Sequence, residues 1–258
     1  MVTISSANAR VTLSKLTIRN GLSRFGGGIL NGGALTISNS TIEGNTAGGF
    51  NPGSGGGIYN TGALTISNST ISGNIVKGQV VGSGGGILNL GTLTVNNSTI
   101  SGNGARCGSG IYNAYHVKTL TISNSTISRN GDAGLCGVIY NGGTSILQNT
   151  LVANKGVRNC GGTITSNGYN LSSDDSCNFN GTGDLNNTDP KLGQLGNYGG
   201  PTQTILLLSG SPAIDAGNPS GCTDGNGHLL KTDQRGKPRP DREDTGGCDM
   251  GAYERQKD

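Results

Sequence analysis

Between Asn113 and Leu120 the chain reads Ala-Tyr-His-Val-Lys-Thr, whereas the three preceding copies of the same pattern join Asn to Leu through three residues. The inserted Tyr115 and His116, with Arg106 and Lys118, are the chain's first candidates for chemistry. A polysaccharide lyase needs a base, an acid and cations to neutralise a uronate carboxylate, and these residue types supply all three. Lys77 and Arg129, in the loops of neighbouring copies, extend the set. The competing reading is a solvated loop, since a lone histidine is more often that than catalytic. A glycoside hydrolase is less well served. It needs two carboxylates about 5–9.5 Å apart, and before residue 158 only Glu43 and Asp132 carry one.

Further along, Asp174, Asp175 and Asp184, with Asn178 and Asn180, place hard oxygen ligands within eleven positions. That set could hold calcium. The EF-hand spacing is absent, and Asx turns account for the same residues. No other cofactor is required. A zinc site is disfavoured, because no Cys-x-x-Cys occurs and His116 and His228 are the only histidines. The six cysteines fit an oxidising compartment. Their positions pair Cys107 with Cys136, Cys160 with Cys177 and Cys222 with Cys248, out of 15 connectivities.

The elements that position these residues follow from a repeat. Gly-Gly-Gly-Ile-(Leu/Tyr)-Asn followed by Leu-Thr-Ile-Ser-Asn-Ser-Thr-Ile-Ser-Gly-Asn recurs over Gly26–Asn45, Gly55–Asn74 and Gly84–Asn103, then less strictly to Asn154. A period of 25–29 residues means stacked units, none able to bury its apolar face alone. Each unit holds three short β-branched pieces separated by Gly and Asn, and none shows helical apolar spacing. The expectation is an all-β, right-handed, single-stranded parallel β-helix, one coil per unit, with an irregular disulfide-tied cap at its C-terminal end.

Alternation assigns the faces. Leu35/Ile37 and their equivalents point inward, as do the columns headed by Ile29 and by Ile42, the latter ending at Leu151. Asn31, Asn39 and Asn45 head three corner columns, because Asn tolerates left-handed bends and bonds the amide above. Asn-Ser-Thr sequons within them read as incidental. Outward rows remain. Thr36, Thr65, Thr94 and Thr121 form one; Tyr59, Tyr112 and Tyr140, interleaved with Leu30 and Leu88, form another. Hydroxyl rows and amphipathic tyrosine rings suit a glycan, though β-propensity alone also explains Thr. A flat Thr-x-Ser array resembles ice-binding faces, but Asn96 and the shortened fourth copy break it.

Composition narrows the classes. A formal charge of +3 is too small and dispersed for nucleic acid, and no apolar run is long enough to cross a membrane as a helix. The chain opens directly on repeat-like sequence, so a segment of a longer exported protein is expected. A monomer, or an end-to-end dimer through an uncapped N-terminal coil, follows from the solenoid form.

Near residue 158 the composition changes: thirteen of the fifteen carboxylates and six of the seven prolines follow. The segment contains Asn159-Cys-Gly-Gly-Thr-Ile-Thr-Ser-Asn-Gly-Tyr-Asn-Leu171, Gly183-Asp-Leu-Asn-Asn-Thr-Asp-Pro190 and Leu192-Gly-Gln-Leu-Gly-Asn-Tyr-Gly-Gly-Pro-Thr202. Gly210-Ser-Pro-Ala-Ile-Asp-Ala-Gly217, Thr232-Asp-Gln-Arg-Gly236, Arg239-Pro240 and Cys248-Asp-Met-Gly-Ala-Tyr-Glu254 complete it. This run is similar to the choice-of-anchor Q domain of bacterial secreted and surface proteins. The resemblance implies a right-handed parallel β-helix, export and surface attachment, without implying one reaction. Residues 1–158 are thus expected as the repeats, and 159–258 as the last coils and cap. Asp233, Arg235, Arg239, Asp249 and Glu254 are expected to form a salt-bridged cap over the last coil. The expected function is binding of a polysaccharide or cell-surface glycan outside the cell. A polysaccharide lyase is the alternative, with an ice binder behind it.

Overall fold

The computed structural model describes residues 1–48, 53–78, 82–115, 118–131, 134, 136–242 and 247–256. Among them lie strands and turns, and no helix. Each coil gives one strand to each of three seven-stranded parallel sheets, in the right-handed β-helix expected. The first sheet stacks Val2–Ile4, Ile29–Asn31, Ile58–Asn60, Ile87–Asn89, Ile111–Asn113, Ile139–Asn141 and Cys160–Gly162. The second runs from Arg10–Ser14 through Ala34–Ser38, Ala63–Ser67, Thr92–Asn96 and Thr119–Ser123 to Thr144–Gln148 and Thr165–Ser166. The third runs from Thr17–Arg19 through Thr41–Glu43, Thr70–Ser72, Thr99–Ser101 and Thr126–Ser128 to Leu151–Ala153 and Leu171–Ser172.

Register ties the coils together residue by residue. Leu35, Leu64 and Leu93 pair directly, as do Ile29, Ile58 and Ile87. Leu13 and Ile18 of the first coil are partly buried, and from the second coil on the inward Ile and Leu side chains are buried. Each is worth about 1.5–3 kcal/mol relative to exposure, which is how a chain only 31% hydrophobic builds a core. The Gly triplets allow the turns into the first sheet to touch: a Cβ on Gly56 would lie 2.4 Å from the Gly85 carbonyl oxygen.

Two expectations shift. The repeat length is wider than 25–29, because Val11 pairs with Leu35, 24 residues on, and Ile146 with Thr165, 19 on. Leu151 does not end the Ile42 column. Val152 pairs with Ile127 and fills that place, while Leu151 pairs with Thr126 on the outward side. Asn149 takes the corner position of Asn124, and the register runs unbroken from Thr119–Thr144 to Ser128–Ala153, which sets Val152 at the place of Ile127. Leu151 is still buried, against Leu171, Leu207, Ala213 and Met250.

Asparagine builds the corners as the columns predict. Asn31 Nδ2 donates to Asn60 Oδ1 at 2.7 Å, and the same bond continues through Asn89 and Asn113 to Asn141. Asn45, Asn74, Asn103 and Asn130 form the parallel ladder at 2.9–3.0 Å. Asn39, Asn68, Asn97, Asn124 and Asn149 all hold φ between 47° and 50°, the left-handed region Asn tolerates.

All three expected disulfides are present. The C-terminal segment, however, is a strap as well as a cap. Residues 173–187, tied by Cys160–Cys177, close the solenoid end and place Phe179 in the core. The chain then forms a hairpin, Leu192–Gly196 with Thr204–Leu207, and runs back along the third sheet. It meets the corner column at four levels. Thr202 Oγ1 donates to Asn68 O, Asn97 Nδ2 to Thr232 O, Asn124 Nδ2 to Thr223 O and Asn149 Nδ2 to Asp249 O. The ion pairs form as expected, Arg235 with Asp233 at 2.7 Å and Arg239 with Glu254 at 2.6 Å. They sit on the flank, not over the last coil, because Arg239 Nη1 donates to Asn97 Oδ1 in mid-solenoid.

Candidate functional site

The outward face of the first sheet carries a stripe. Leu30, Tyr59, Leu88, Tyr112 and Tyr140 are register partners on five successive strands, one side chain per coil. The pairing fixes the spacing, since neighbouring strands lie about 4.7–4.9 Å apart. The Tyr112 and Tyr140 rings stack with centroids 4.9 Å apart and planes within 18°. Phe25 extends the stripe, tilted against Tyr59 at 5.1 Å, with the Arg24 guanidinium 4.9 Å above its ring. At the other end Tyr115 stands edge-on to Tyr140 at 5.9 Å, and the two hydroxyls are hydrogen-bonded. Gly142 makes room for it: a Cβ there would lie 3.0 Å from the Tyr115 ring. Beyond Tyr140 the next partner is Gly161, so the stripe ends.

The hydrogen bond with Tyr115, then burial, push Tyr140 up to about 12. Burial raises Tyr59, and burial followed by the neighbouring Tyr115 raises Tyr112. The Tyr59, Tyr112 and Tyr140 rings are half-buried and Leu88 is buried at 5%, while Tyr115 is 57% exposed and Phe25 36%. The stripe itself contains no charge. Cations stand at its margins: Phe25, Ser54, Ser83 and Cys107 are bridged in one column, so Arg24 and Arg106 occupy equivalent places three coils apart. Lys118 stands at the opposite margin, where the chain enters the second sheet.

The structure therefore divides the lyase candidates. Tyr115 joins the tyrosine stripe. Lys118 lends its carbonyl to Thr144 N and the Asn113 amide. Arg106 sits at the other end of strand Ile111–Asn113, and Arg129 lies beyond Thr126–Ser128, where it donates to Gly193 O at 2.6 Å. Lys77 follows the short strand Ile75–Val76. His116 and Asp132 lie outside the described residues. Glu43 faces Arg19 at 4.0 Å on the surface.

The threonine row is in register, Thr36–Thr65–Thr94–Thr121, but the strap overlies half of it. A Cβ on Gly225 would lie 3.0 Å from Thr121 Cγ2 and 3.7 Å from Thr94 Cγ2. Thr36 and Thr65 stay exposed. Among the calcium candidates, Asp174 accepts from Asn159 N, Ser176 N, Ser172 Oγ and Ser176 Oγ. Asp184 accepts from Ser166, Asn170 and Gly181, and Asp175 is exposed. These are turn-closing bonds at the solenoid end. Among the described residues, no three His, Cys, Asp or Glu side chains converge as a metal would need.

Sequence reasoning missed Phe25 and Arg24 as part of the stripe and took Tyr115 for a loop residue. The available signal was position: Phe25 immediately precedes the first Gly triplet, the place Cys107 holds three coils later.

Neither the curated proteins nor the solved structures yield a match to this chain. A family described as right handed beta helix region matches residues 2–181, which spans the repeats and the solenoid end. The register, the asparagine corners and that match agree: the chain belongs to the right-handed β-helix family.

Proposed function

We propose that the protein binds an extended polysaccharide along the tyrosine stripe, with sugar rings laid one per coil. The observation that carries this is the coaxial Tyr59–Leu88–Tyr112–Tyr140 column with its stacked Tyr112/Tyr140 pair. Tyr offers an apolar ring to the C–H face of a pyranose and a hydroxyl to its edge. The coil rise of about 4.8 Å is close to the length of one sugar in an extended β-1,4-linked chain. The ligand axis would then run along the solenoid. In this reading the chain is an exported surface protein of the choice-of-anchor Q kind, and its C-terminal motifs fasten the strap.

Binding without turnover is favoured over a lyase because Tyr115, Lys118, Arg106 and Arg129 occupy three different corners. Affinity electrophoresis of the full chain in gels containing β-1,4-glucan, chitin, mannan or polyuronate tests both. Retardation lost in Tyr112→Ala, with no unsaturated product, is expected. Retardation by none of the polymers, or unsaturated product from any, would overturn the reading.

A further inference from the structure

Where the strap leaves the last coils, a groove of about 950 Å³ opens between Ser128–Gly131, Ala153–Arg158 and the Asp189–Leu192 segment. A second hollow of about 610 Å³ adjoins it and shares Arg158 and Asp174. Three cations line the groove: Arg129, Lys155 and Arg158. The two guanidiniums are anchored by main-chain carbonyls, which fixes their direction without neutralising them. Arg129 Nη2 donates to Gly193 O at 2.6 Å, and Arg158 Nε to Cys160 O at 2.7 Å. Among the described residues none of the three cations has a carboxylate within 4.0 Å.

Two carboxylates, Asp174 and Asp189, also line the groove, so its cations exceed its anions by one. Asp174 is taken up by four donors from Asn159, Ser172 and Ser176. Asp189 accepts from Lys191 N. The chain as a whole has the same sign, a formal net charge of +3. Val157, Pro190 and Leu192 add an apolar wall. The lining thus offers a flat apolar surface beside two oriented guanidiniums and an ammonium. Guanidiniums pair two N–H groups with the two oxygens of a carboxylate or phosphate, and an ammonium adds a point charge.

We propose that this groove is an anion site, separate from the tyrosine stripe, that takes a sugar residue carrying a carboxylate or phosphate. The sugar ring packs on Val157, Pro190 and Leu192, while Arg129, Lys155 and Arg158 hold the oxyanion. The groove's size suits a mono- or disaccharide, since ligand sites of roughly 300–1,000 Å³ hold molecules of that scale. Its cations lie around the corner from the stripe, and Lys155–Arg158 leads directly into Cys160–Gly162, the strand beside Tyr140.

Calorimetric titration of the full chain with glucose 6-phosphate, galacturonic acid, inorganic phosphate and glucose tests this. Saturable binding of at least one anionic sugar, tighter than inorganic phosphate and absent for glucose, is expected. Arg129→Gln and Arg158→Gln should each weaken it at least tenfold with unchanged thermal melting, and Tyr112→Ala should leave it as it is. The anionic sugar that binds distinguishes phosphate from carboxylate. No saturable binding of either sugar, or full affinity in the Arg129→Gln/Arg158→Gln double variant, would overturn the site. Loss of stripe binding in Tyr112→Ala with this site intact separates the two proposals.

Discussion

Gln234 Oε1 accepts a 2.6 Å hydrogen bond from Thr99 Oγ1, 135 residues away in the chain. Its Nε2 donates to Thr70 Oγ1 at 3.1 Å and to Thr202 Oγ1 at 2.9 Å. One buried carboxamide therefore bridges two coils and the strap hairpin. Gln234→Ala removes three side-chain hydrogen bonds, each worth about 0.5–1.5 kcal/mol, while the hydroxyls keep Gln203 O, Thr204 Oγ1 and Asn68 O. Urea unfolding should show a loss of about 2–4 kcal/mol. An unshifted midpoint would mean that the strap is held elsewhere.

The Cys222–Cys248 disulfide closes the strap on itself beside Asn149. Removing a native disulfide of this span costs about 2–4 kcal/mol. In a Cys222→Ala/Cys248→Ala variant, proteolysis should cut residues 190–256 first while the β-signal in far-ultraviolet circular dichroism persists. Simultaneous loss of strap and solenoid would show that the two do not separate.

Stability should depend on pH in two windows of opposite sign. Burial, then the neighbouring Glu254 carboxylate, push Asp249 up to about 7. A carboxyl whose folded pKa exceeds its unfolded one near 3.9 contributes stability that is complete below about pH 4 and is lost as the pH rises to about 7. Asp174 runs the other way. Burial raises it, but hydrogen bonds from Ser176, Asn159 and Ser172 outweigh that and hold it below the usual range. Its contribution is lost as the pH falls below about 4. Urea unfolding from pH 4 to 7 should weaken by up to about 4 kcal/mol, and Asp249→Asn should flatten that slope. An identical slope in the variant would remove Asp249 as its source.

Ultraviolet titration should find Tyr140 ionising last. Its hydrogen bond with Tyr115 is the leading cause, so Tyr115→Phe should bring Tyr140 back toward the ordinary tyrosine value. An unaltered titration curve would show that the two hydroxyls are not bonded in solution.

The solenoid was legible because its rule is repeated: a column such as Ile29–Ile58–Ile87 or Asn31–Asn60–Asn89 states one contact several times. The Cys107–Cys136 disulfide was legible for the same reason, since the two are about one coil apart. Leu151 was misplaced because this coil reads Asn149-Thr-Leu-Val where the others read Asn-Ser-Thr-Ile, so two adjacent apolar residues compete for the inward place that Val152 takes. The strap's path was hidden because it rests on contacts such as Arg239–Asn97 and Gln234–Thr70, which join a non-repeating segment to a repeating one. The tyrosine column could be read from spacing, but the Tyr115–Tyr140 contact could not, since an irregular loop brings them together.

The most direct measurement is calorimetric titration of the full chain with β-1,4-linked oligosaccharides of increasing length. Five side chains from Leu30 to Tyr140 lie one per coil. Affinity should therefore rise with each added sugar, level off at about five residues set by the coil spacing, and fall at least about tenfold, or 1.4 kcal/mol, in Tyr112→Ala. Affinity independent of length, or unchanged in Tyr112→Ala, would contradict a glycan running along the tyrosine stripe.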